Sequence, residues 1–252
     1  MKFNVKQIYH TSHCGSTLMA TLLKDCGIPV YTEPGWTHSF FKPNYKPVFN
    51  RIMKNYDGSI IKFPSPLCNF SSHFHGEKIF LYRKLKHHLF KRKTQISYDG
   101  TPPIKSIIAW SYGHHIKYCH PSLSKITFDT DLKKHIFMWA NQIQWMTYSN
   151  DVLWVESNNF FKNKKETMDL VCDHLNLPQV LDYSMSNIYV KGVGMNHSDI
   201  ELKNVVPQME NVRYLYPSFG VIEDELCDPD SEIQELMIWV KKNMEFINSE
   251  YL

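Results

Sequence analysis

The residues best suited to chemistry lie in one short stretch near the start of the chain. It comprises, in order, Ser12, His13, Cys14, Gly15, Ser16 and Thr17. A glycine lets a ligand approach the backbone closely, and the two hydroxyls can donate hydrogen bonds. The first amides of a helix have no internal partner and lie at the positive end of its dipole. If a helix begins here, the stretch can bind an anion.

The flanking sequence predicts the elements that would position this stretch. A short strand is expected from Lys6 to Thr11 and a helix from Ser16 to Cys26. The helix is indicated by apolar residues at helical spacing, namely Leu18, Met19, Leu22, Leu23 and Cys26. Gly27 suits the left-handed position that closes a helix. Residues 6–27 therefore predict a strand–loop–helix unit with an anion site at its turn.

The spacing argues against two familiar anion loops. An ATP-binding loop of the type Gly-x-x-x-x-Gly-Lys-Ser/Thr needs Gly and Lys where the chain has His10 and Ser16. A phosphatase loop needs Arg six residues after Cys14, where Ala20 stands. A strand–turn–helix without any ligand stays open as an alternative, because a short Gly-Ser-Thr turn is weakly specific.

The segment HCGSTLMATLL resembles the phosphosulfate-binding loop of sulfotransferases, which typically reads Arg/Lys-Ser-Gly-Ser/Thr-Thr-Leu. The resemblance implies that residues 12–17 bind the donor 3′-phosphoadenosine 5′-phosphosulfate. His13 departs from the pattern, because it stands where the family carries Arg or Lys. It would take the place of that cation both in donor binding and in catalysis.

Glu33 follows a second predicted strand, Pro29 to Thr32, and stands 20 positions after His13. A carboxylate at the end of a strand beside the loop lies where doubly wound folds place their chemistry. In sulfotransferases, especially the protein-tyrosine branch, a Glu at this distance deprotonates the acceptor hydroxyl, so the resemblance implies a catalytic base. A solvated loop acid is the alternative.

Lys62 ends a third predicted strand, Ser59 to Phe63, and precedes Phe63-Pro64. An internal strand seldom holds an unpaired lysine, so its ammonium should reach the sheet edge or meet an anion. Protein-tyrosine sulfotransferases carry a similar Lys-x-Pro. The resemblance implies that Lys62 stabilises charge during sulfuryl transfer.

Arg83 ends a fourth predicted strand, residues 77–83, and a basic segment follows it. Sulfotransferases end this strand with Arg and place Ser eight residues later, and the two hold the 3′-phosphate. Arg83 fits this pattern, whereas the Ser position is Lys91, which can still bind phosphate as a point charge. The alternatives for the basic segment are a solvated helix face and a short patch that binds nucleic acid or an acidic membrane.

The later part of the chain adds one candidate residue and further fold signals. Residues 151–157 predict a fifth strand, buried on both faces because it is nearly all apolar. Asn163 with Glu166 predicts a capped helix after it. Ser198 lies in a Ser-Asp-x-x-x-Lys-x-Val pattern shared with the protein-tyrosine branch, which implies that it helps to stabilise the transition state. An N-capping serine is the alternative.

Composition limits the other function classes. The chain has 252 residues, 43% hydrophobic residues and a formal net charge of +3, which suits a polyanionic ligand without demanding nucleic acid. Its six cysteines are scattered, and no apolar run is long enough to cross a membrane, so a cytoplasmic location is expected. His115 and Cys119 have metal-ligand spacing on a helix, but no further cluster completes a zinc site, so no metal is expected.

The alternation of strands and helices predicts a single α/β domain over residues 1–252, with helices on both faces of a mostly parallel sheet. The resemblance implies a P-loop-like fold and in-line sulfuryl transfer to a hydroxyl on a small molecule, a glycan or a peptide tyrosine. A family member that binds without turnover and a kinase-like phosphotransferase using ATP and Mg²⁺ are the alternatives. The acceptor cannot be named from the fold.

Overall fold

A computed structural model describes residues 3–11, 14–24, 26–32, 34, 53–63, 65–94, 129–181, 231–244 and 247–252. The strands are β1 (Phe3–Asn4), β2 (Lys6–His10), β3 (Val30–Thr32), β4 (Ile60–Lys62), β5 (Phe74–His75), β6 (Lys78–Tyr82) and β7 (Val152–Glu156). The helices are α1 (Ser16–Leu22), α2 (Leu85–Thr94), α3 (Asp131–Thr147), α4 (Ser157–Lys162), α5 (Lys164–His174) and α6 (Ser231–Asn243). Short 3-10 helices span Ser65–His73 and Ser249–Tyr251.

Five strands form one parallel sheet in the order β3-β4-β2-β6-β7. The register places Ile8 of β2 beside Lys62 on one side and Ile79 on the other. The chain leaves the central β2 toward β3, returns to β4, and then crosses β2 to form β6 and β7. The strand order therefore reverses at β2. A separate two-stranded parallel pair joins β1 to β5.

Two apolar cores lie on opposite faces of this sheet, because side chains alternate between the faces along each strand. One core gathers Ile8, Ile60, Ile79 and Leu81 with α1, α4 and α5. The other gathers Tyr9, Ile61, Phe63 and Phe80 with α2, α3, α6 and the Ser65–His73 segment. This arrangement confirms the predicted α/β fold with a parallel sheet between helical layers.

Several predicted boundaries need correction. The first helix ends at Leu22 rather than Cys26, although Gly27 does adopt the predicted positive φ, at 81°. Asn163 precedes α5 but its side chain makes no capping hydrogen bond, since its amide donates to Asn159 Oδ1 at 2.7 Å instead. The predicted capping box is therefore absent at this helix.

The prediction that the fifth strand is buried on both faces is wrong. Within the described residues β7 lies at the edge of the sheet, pairs with β6, and is mostly half-buried. The apolar residues of β7 pack against other aromatic side chains. The Trp154 ring lies edge-on to Phe80, with 4.9 Å between ring centroids, and stacks on Tyr251, with 5.3 Å between centroids. Aromatic packing with the last described segment thus covers part of this edge.

In the described part of the chain, no helix has both the length and the apolar composition needed to cross a membrane.

Candidate functional site

The carboxyl-terminal ends of β2, β4, β6 and β7 meet at one edge of the sheet, and that edge carries the candidate residues. Ligands of open parallel sheets bind outside this edge, where the strand order reverses. Here the reversal occurs at β2, the strand that runs into the 12–17 stretch. The topology therefore places the predicted anion loop where a doubly wound fold binds its ligand.

Gly15 forms the turn between this loop and α1, and it has a physical reason to be glycine. Its φ is 96°, in the left-handed region, and its carbonyl accepts the hydrogen bond from Met19 N at 3.0 Å that opens the helix. A Cβ at this position would lie 2.8 Å from Phe161 Cζ and 3.3 Å from Phe160 Cε1. The open side of Gly15 thus faces two aromatic rings of α4, rather than the anion that the sequence led us to expect there. Ser16 is buried and Thr17 is partly buried, at the start of α1.

Two buried hydrogen bonds attach the loop to the rest of the sheet edge. Ser157 Oγ donates to the Cys14 carbonyl at 2.7 Å, across 143 positions of sequence. The Cys14 thiol contacts the Leu81 carbonyl at 3.5 Å. The loop is therefore held both by the end of β6 and by the first residue of α4.

Thr11 and Arg83 join the ends of the two central strands. The backbone amide of Arg83 donates to Thr11 Oγ1 at 3.1 Å, and the Thr11 amide donates to the Leu81 carbonyl at 2.9 Å. On the far side, Trp139 Nε1 donates to the Arg83 carbonyl at 3.0 Å. These bonds fix the backbone from which the Arg83 side chain projects.

The Arg83 side chain is 0% exposed and lies against α4. Its Nη1 donates to Asn158 Oδ1 at 3.3 Å, and Asn158 Nδ2 lies 3.3 Å from His87 Nδ1. A guanidinium keeps its charge at any pH at which the protein folds, so Arg83 brings a permanent positive charge to this edge of the sheet.

Lys62 is also buried, at 3% exposure, although β4 is an internal strand. Ile60 belongs to the α1-side core and the intervening Ile61 to the other, so alternation places Lys62 on the face that α1 covers. The same alternation places His10 on that face, where its ring is buried and its Nδ1 lies 3.1 Å from the Thr11 carbonyl. The sheet edge next to the loop therefore carries the side chains of Lys62, His10 and Arg83. Lys62 and His10 lie on the face that α1 covers, and Arg83 lies against α4.

Glu156 lies at the same edge, where its carboxylate caps a helix. Its Oε1 accepts from Asn158 N at 3.0 Å and its Oε2 from Asn159 N at 3.2 Å, which caps α4. Burial, and then the Glu156 carboxylate, raise the pKa of Tyr82 to about 12. Burial likewise raises the pKa of Tyr9 and of the Cys68 thiol behind the sheet. These groups are neutral at physiological pH, so the edge gains no anionic tyrosinate or thiolate from them.

The structure describes some of the predicted residues and not others. Cys14, Gly15, Ser16, Thr17, Lys62 and Arg83 lie together at the sheet edge. Lys91 lies in α2, where its backbone but not its side chain is described. Outside the described residues are Ser12, His13, Glu33 and Ser198, together with the possible metal pair His115 and Cys119. Among the described residues no three His, Cys, Asp or Glu side chains form a metal cluster.

A cavity of about 670 Å³ lies at the opposite, amino-terminal edge of the sheet. Its lining includes Glu77, Lys78 and Asp151 at the starts of β6 and β7, and His174 at the end of α5. Glu77 is paired with Lys6 at 3.1 Å, and Lys78 donates to two backbone carbonyls at 3.3 Å. Most of its charged groups are thus engaged within the protein, and the cavity is remote from the anion loop.

The sequence reasoning missed four residues that build the edge, namely Thr11, His87, Ser157 and Asn158. One signal was available for two of them. A polar run, Glu156-Ser157-Asn158, follows an apolar strand directly, and polar residues just beyond a parallel strand fall at the ligand-binding edge. The contacts of Thr11 and His87 could not be read from the sequence, because their partners lie 72 and 71 positions away.

Comparison with solved structures finds sulfotransferases. The chain is similar to the sulfotransferase domain from the curacin biosynthetic pathway, with 12% identity, a TM-score of 0.48 and coverage of 95% of this chain and 98% of that one. A sulfotransferase domain from the Synechococcus PCC 7002 olefin synthase shows 10% identity, a TM-score of 0.48 and coverage of 98% and 96%. A sulfotransferase from Alicyclobacillus acidocaldarius shows 11% identity, a TM-score of 0.40 and coverage of 93% and 99%.

No protein-family model matches the chain, and no curated protein sequence matches it. At the identities and TM-scores of the solved structures, the similarity assigns neither a family nor an activity. The function must therefore be inferred from the residues of the site.

Proposed function

We propose that this protein is a sulfotransferase that uses 3′-phosphoadenosine 5′-phosphosulfate and a hydroxyl acceptor. The observation that carries the proposal is the pair of buried cations, Lys62 and Arg83, at the carboxyl ends of the strands on either side of β2. β2 itself runs into the glycine turn of residues 12–17. Two cations around a turn of this kind suit a ligand with anionic groups at two ends.

The burial of both cations indicates which charge a ligand at this edge should carry. Removing a cation from water is costly unless hydrogen bonds and opposite charge compensate for the loss. The described contact of the Arg83 guanidinium is with Asn158 Oδ1, the oxygen of a neutral amide. A polyanionic nucleotide would supply charge of the opposite sign, so the residues present fit this donor.

In donor binding, residues 12–17 would hold the phosphosulfate end through backbone amides and the hydroxyls of the turn. Arg83, helped by Lys91, would hold the 3′-phosphate. Arg83 suits this contact because its planar guanidinium can donate two parallel hydrogen bonds to a phosphate. His13 would supply the cation that Arg or Lys supplies in the loops it resembles.

The bound donor would supply the sulfuryl group that the acceptor hydroxyl receives. Glu33 would accept the proton from that hydroxyl, acting as general base. Lys62 and Ser198 would stabilise negative charge that develops on the reacting oxygens, and His13 would do so from the loop. The acceptor class is a hydroxyl on a small molecule, a glycan or a peptide tyrosine.

Thermal unfolding with adenosine 3′,5′-bisphosphate, AMP and ATP–Mg²⁺ tests the proposal. A ligand at about 100 times its dissociation constant stabilises the native state by about 2.7 kcal/mol. We expect the bisphosphate to raise the melting temperature more than the other two ligands. Stabilisation by ATP–Mg²⁺ alone would favour a phosphotransferase, and no response to any nucleotide would refute the proposal.

Arg83→Ala extends the test to the 3′-phosphate. Losing a charge-assisted contact should cost on the order of 1.5–3 kcal/mol of binding free energy, and the loss should fall on the bisphosphate rather than on AMP. Equal weakening of both ligands, measured by calorimetry, would assign Arg83 another role. If binding is retained but no sulfuryl transfer to hydroxyl acceptors occurs, a binding protein without turnover becomes the better description.

His13 gives the proposal a pH dependence. Histidine changes charge near neutral pH, whereas Arg and Lys do not. If His13 supplies the cation, donor affinity should strengthen between about pH 8 and pH 6. His13→Arg should flatten this dependence, and His13→Gln serves as the neutral control. Matching pH profiles in wild type and both variants would show that His13 takes no part in binding.

A further inference from the structure

The cavity at the amino-terminal edge of the sheet is formed by segments that are far apart in the sequence. The segment that ends the first 3-10 helix and forms β5 contributes Ser72 and His75. The turn that joins α3 to β7 contributes residues 148–151, and the end of α5 contributes His174. The volume of about 670 Å³ lies within the range of about 300–1,000 Å³ that is usual for small-molecule sites. The cavity is therefore large enough for a small organic ligand.

A pair of hydroxyls joins two of these segments. Ser71 Oγ lies 2.7 Å from Ser149 Oγ, and Ser149 Oγ donates to the Trp145 carbonyl at 3.2 Å. Because the Ser149 proton is used in that second bond, Ser71 is the donor of the hydroxyl pair. Ser71 is buried, so this contact lies beneath the surface of the cavity. Hydrogen bonds within the protein therefore hold two sides of the cavity together.

Other polar groups of the lining have hydrogen-bonding capacity to spare. Within the described part of the chain, the Asp151 carboxylate, the Asn150 side-chain amide and the Ser72 hydroxyl have no hydrogen-bond or ion-pair partner. Glu77, in contrast, is paired with Lys6 at 3.1 Å. The cavity thus presents a carboxylate, an amide and a hydroxyl, which together can both accept and donate hydrogen bonds.

Tyr148 adds an aromatic surface to this polar lining. The residue is 74% exposed, and its ring packs against no other aromatic ring among the described residues. An aromatic ring beside polar groups gives a ligand an apolar face to pack on and a hydroxyl to bond with. The cavity therefore suits a ligand that has both C–H faces and polar groups.

The charges of the lining argue against an ionic ligand. An anion would meet the carboxylates of Glu77 and Asp151, and a cation would meet the Lys78 ammonium. Lys78 is held in the lining by hydrogen bonds to the carbonyls of Gly76 and Asn150, each at 3.3 Å. A wholly apolar ligand would remove polar groups from water without replacing their hydrogen bonds, which carries a penalty for each group. A neutral ligand rich in hydroxyls avoids all three costs.

We propose that this cavity is a binding site for a neutral saccharide. Saccharide hydroxyls both donate and accept, so they match a lining that mixes carboxylate, amide and hydroxyl groups. One face of a sugar ring carries mainly C–H groups, which pack on an aromatic ring such as that of Tyr148. The cavity lies at the opposite edge of the sheet from the anion loop, so this proposal does not depend on the proposed function.

Two measurements on the wild-type protein test the site and separate two sources of the saccharide. The first is binding to an array of immobilised glycans, both neutral and sulfated or sialylated. The second is an NMR titration with free glucose, galactose, mannose, N-acetylglucosamine and lactose. We expect binding of a neutral glycan, a free sugar or both, with the largest amide shifts in residues 71–78 and 148–151.

Three results would overturn the proposal. One is the absence of binding both to neutral glycans and to the free sugars. Another is binding to sulfated or sialylated glycans alone, which would indicate a site for anions. The third is a set of amide shifts confined to residues 14–17, which would place the saccharide at the anion loop instead.

Substitution of Tyr148 tests the aromatic contact. Tyr148→Ala should weaken saccharide binding at least about fivefold, whereas Tyr148→Phe keeps the ring and should stay within about twofold of wild type. Leu170→Ala is the control, because Leu170 is also apolar and exposed, at 59%, but does not line the cavity. Equal affinity in Tyr148→Ala and Leu170→Ala would contradict a role for the ring.

Asp151→Asn tests the hydrogen bonds to the saccharide. Asn keeps the side-chain shape and tolerates the left-handed backbone of this position, where φ is 56°. Loss of the charged acceptor should weaken saccharide binding about fivefold. Asp173→Asn is the matched control, because Asp173 is exposed and accepts from Gln179 Nε2 at 3.0 Å, outside the cavity lining. If the two variants bind the saccharide equally, Asp151 makes no contact with it and the proposed site is wrong.

Discussion

The hydrogen bond from Ser157 to the Cys14 carbonyl should control the shape of the anion loop. Ser157 is 0% exposed and the bond is 2.7 Å long, so Ser157→Ala leaves a buried carbonyl without this donor. Such a loss costs about 1–3 kcal/mol. Because the bond links the loop to α4, we expect much of the cost to appear as local opening of the loop.

Ser59→Ala is a matched control for this substitution. Ser59 is 2% exposed, and its hydroxyl donates to the Tyr56 carbonyl at 2.6 Å, but it lies just before β4, at the opposite end of the strand from the loop. Both variants should lower the free energy of unfolding by about 1–3 kcal/mol, as measured by denaturant titration. Only Ser157→Ala should speed amide hydrogen exchange in residues 14–19.

Ligand binding supplies the second readout. If the loop leaves its competent shape, the apparent affinity falls in proportion to the competent fraction, by up to about fivefold for each kcal/mol. Ser157→Ala should therefore bind the bisphosphate less tightly than Ser59→Ala does. Equal exchange in residues 14–19 and equal affinity in the two variants would show that the Ser157 hydroxyl contributes only to global stability.

Three further predictions concern stability and reactivity. Gly15→Ala should destabilise the protein more than Gly27→Ala in denaturant titrations: both sites have positive φ, which costs about 1–2 kcal/mol, but only at Gly15 would the new Cβ meet an aromatic ring. Burial tends to raise the pKa of Glu77, but hydrogen bonds and the Lys6 ammonium outweigh it and lower that pKa below the usual value of a glutamate. Its stabilising contribution, under about 1 kcal/mol, is thus present while the carboxylate is ionised and is lost in acid, so melting temperatures measured from pH 7 to 3 should fall less steeply in Glu77→Gln. Burial raises the pKa of the Cys68 and Cys172 thiols. In a variant that lacks the two cysteines outside the described residues, a thiol reagent at pH 8 should therefore label neither Cys68 nor Cys172 until the protein unfolds.

The sequence predicted the elements better than the contacts between them. Strand periodicity depends on near neighbours, so the five predicted strands were confirmed within a residue or two. The short helix Ser157–Lys162 escaped prediction, because it begins directly after a strand and is capped by that strand's last residue, Glu156. No periodic pattern marks such a junction.

Only the part of the site that is formed by residues adjacent in the sequence could be predicted. The glycine turn could be read from adjacent residues, and in the structure Gly15 has a positive φ. The aromatic ring beside it, Phe161, comes from a segment about 145 positions away. The pairing of Arg83 with Asn158 is likewise set by the fold, because alternation in a strand gives the face of a side chain but not its partner.

The separation of these partners along the chain has a consequence for synthesis on the ribosome. Ser157, which donates to the Cys14 carbonyl, is synthesised 143 residues after Cys14. Asn158 is synthesised 75 residues after its partner Arg83. A parallel sheet also forms by non-local pairing, which is slow compared with helix formation. A nascent chain that ends before β7 would therefore carry the glycine turn without the contacts that shape it. Binding competence should arise late in synthesis, together with the closing of the fold.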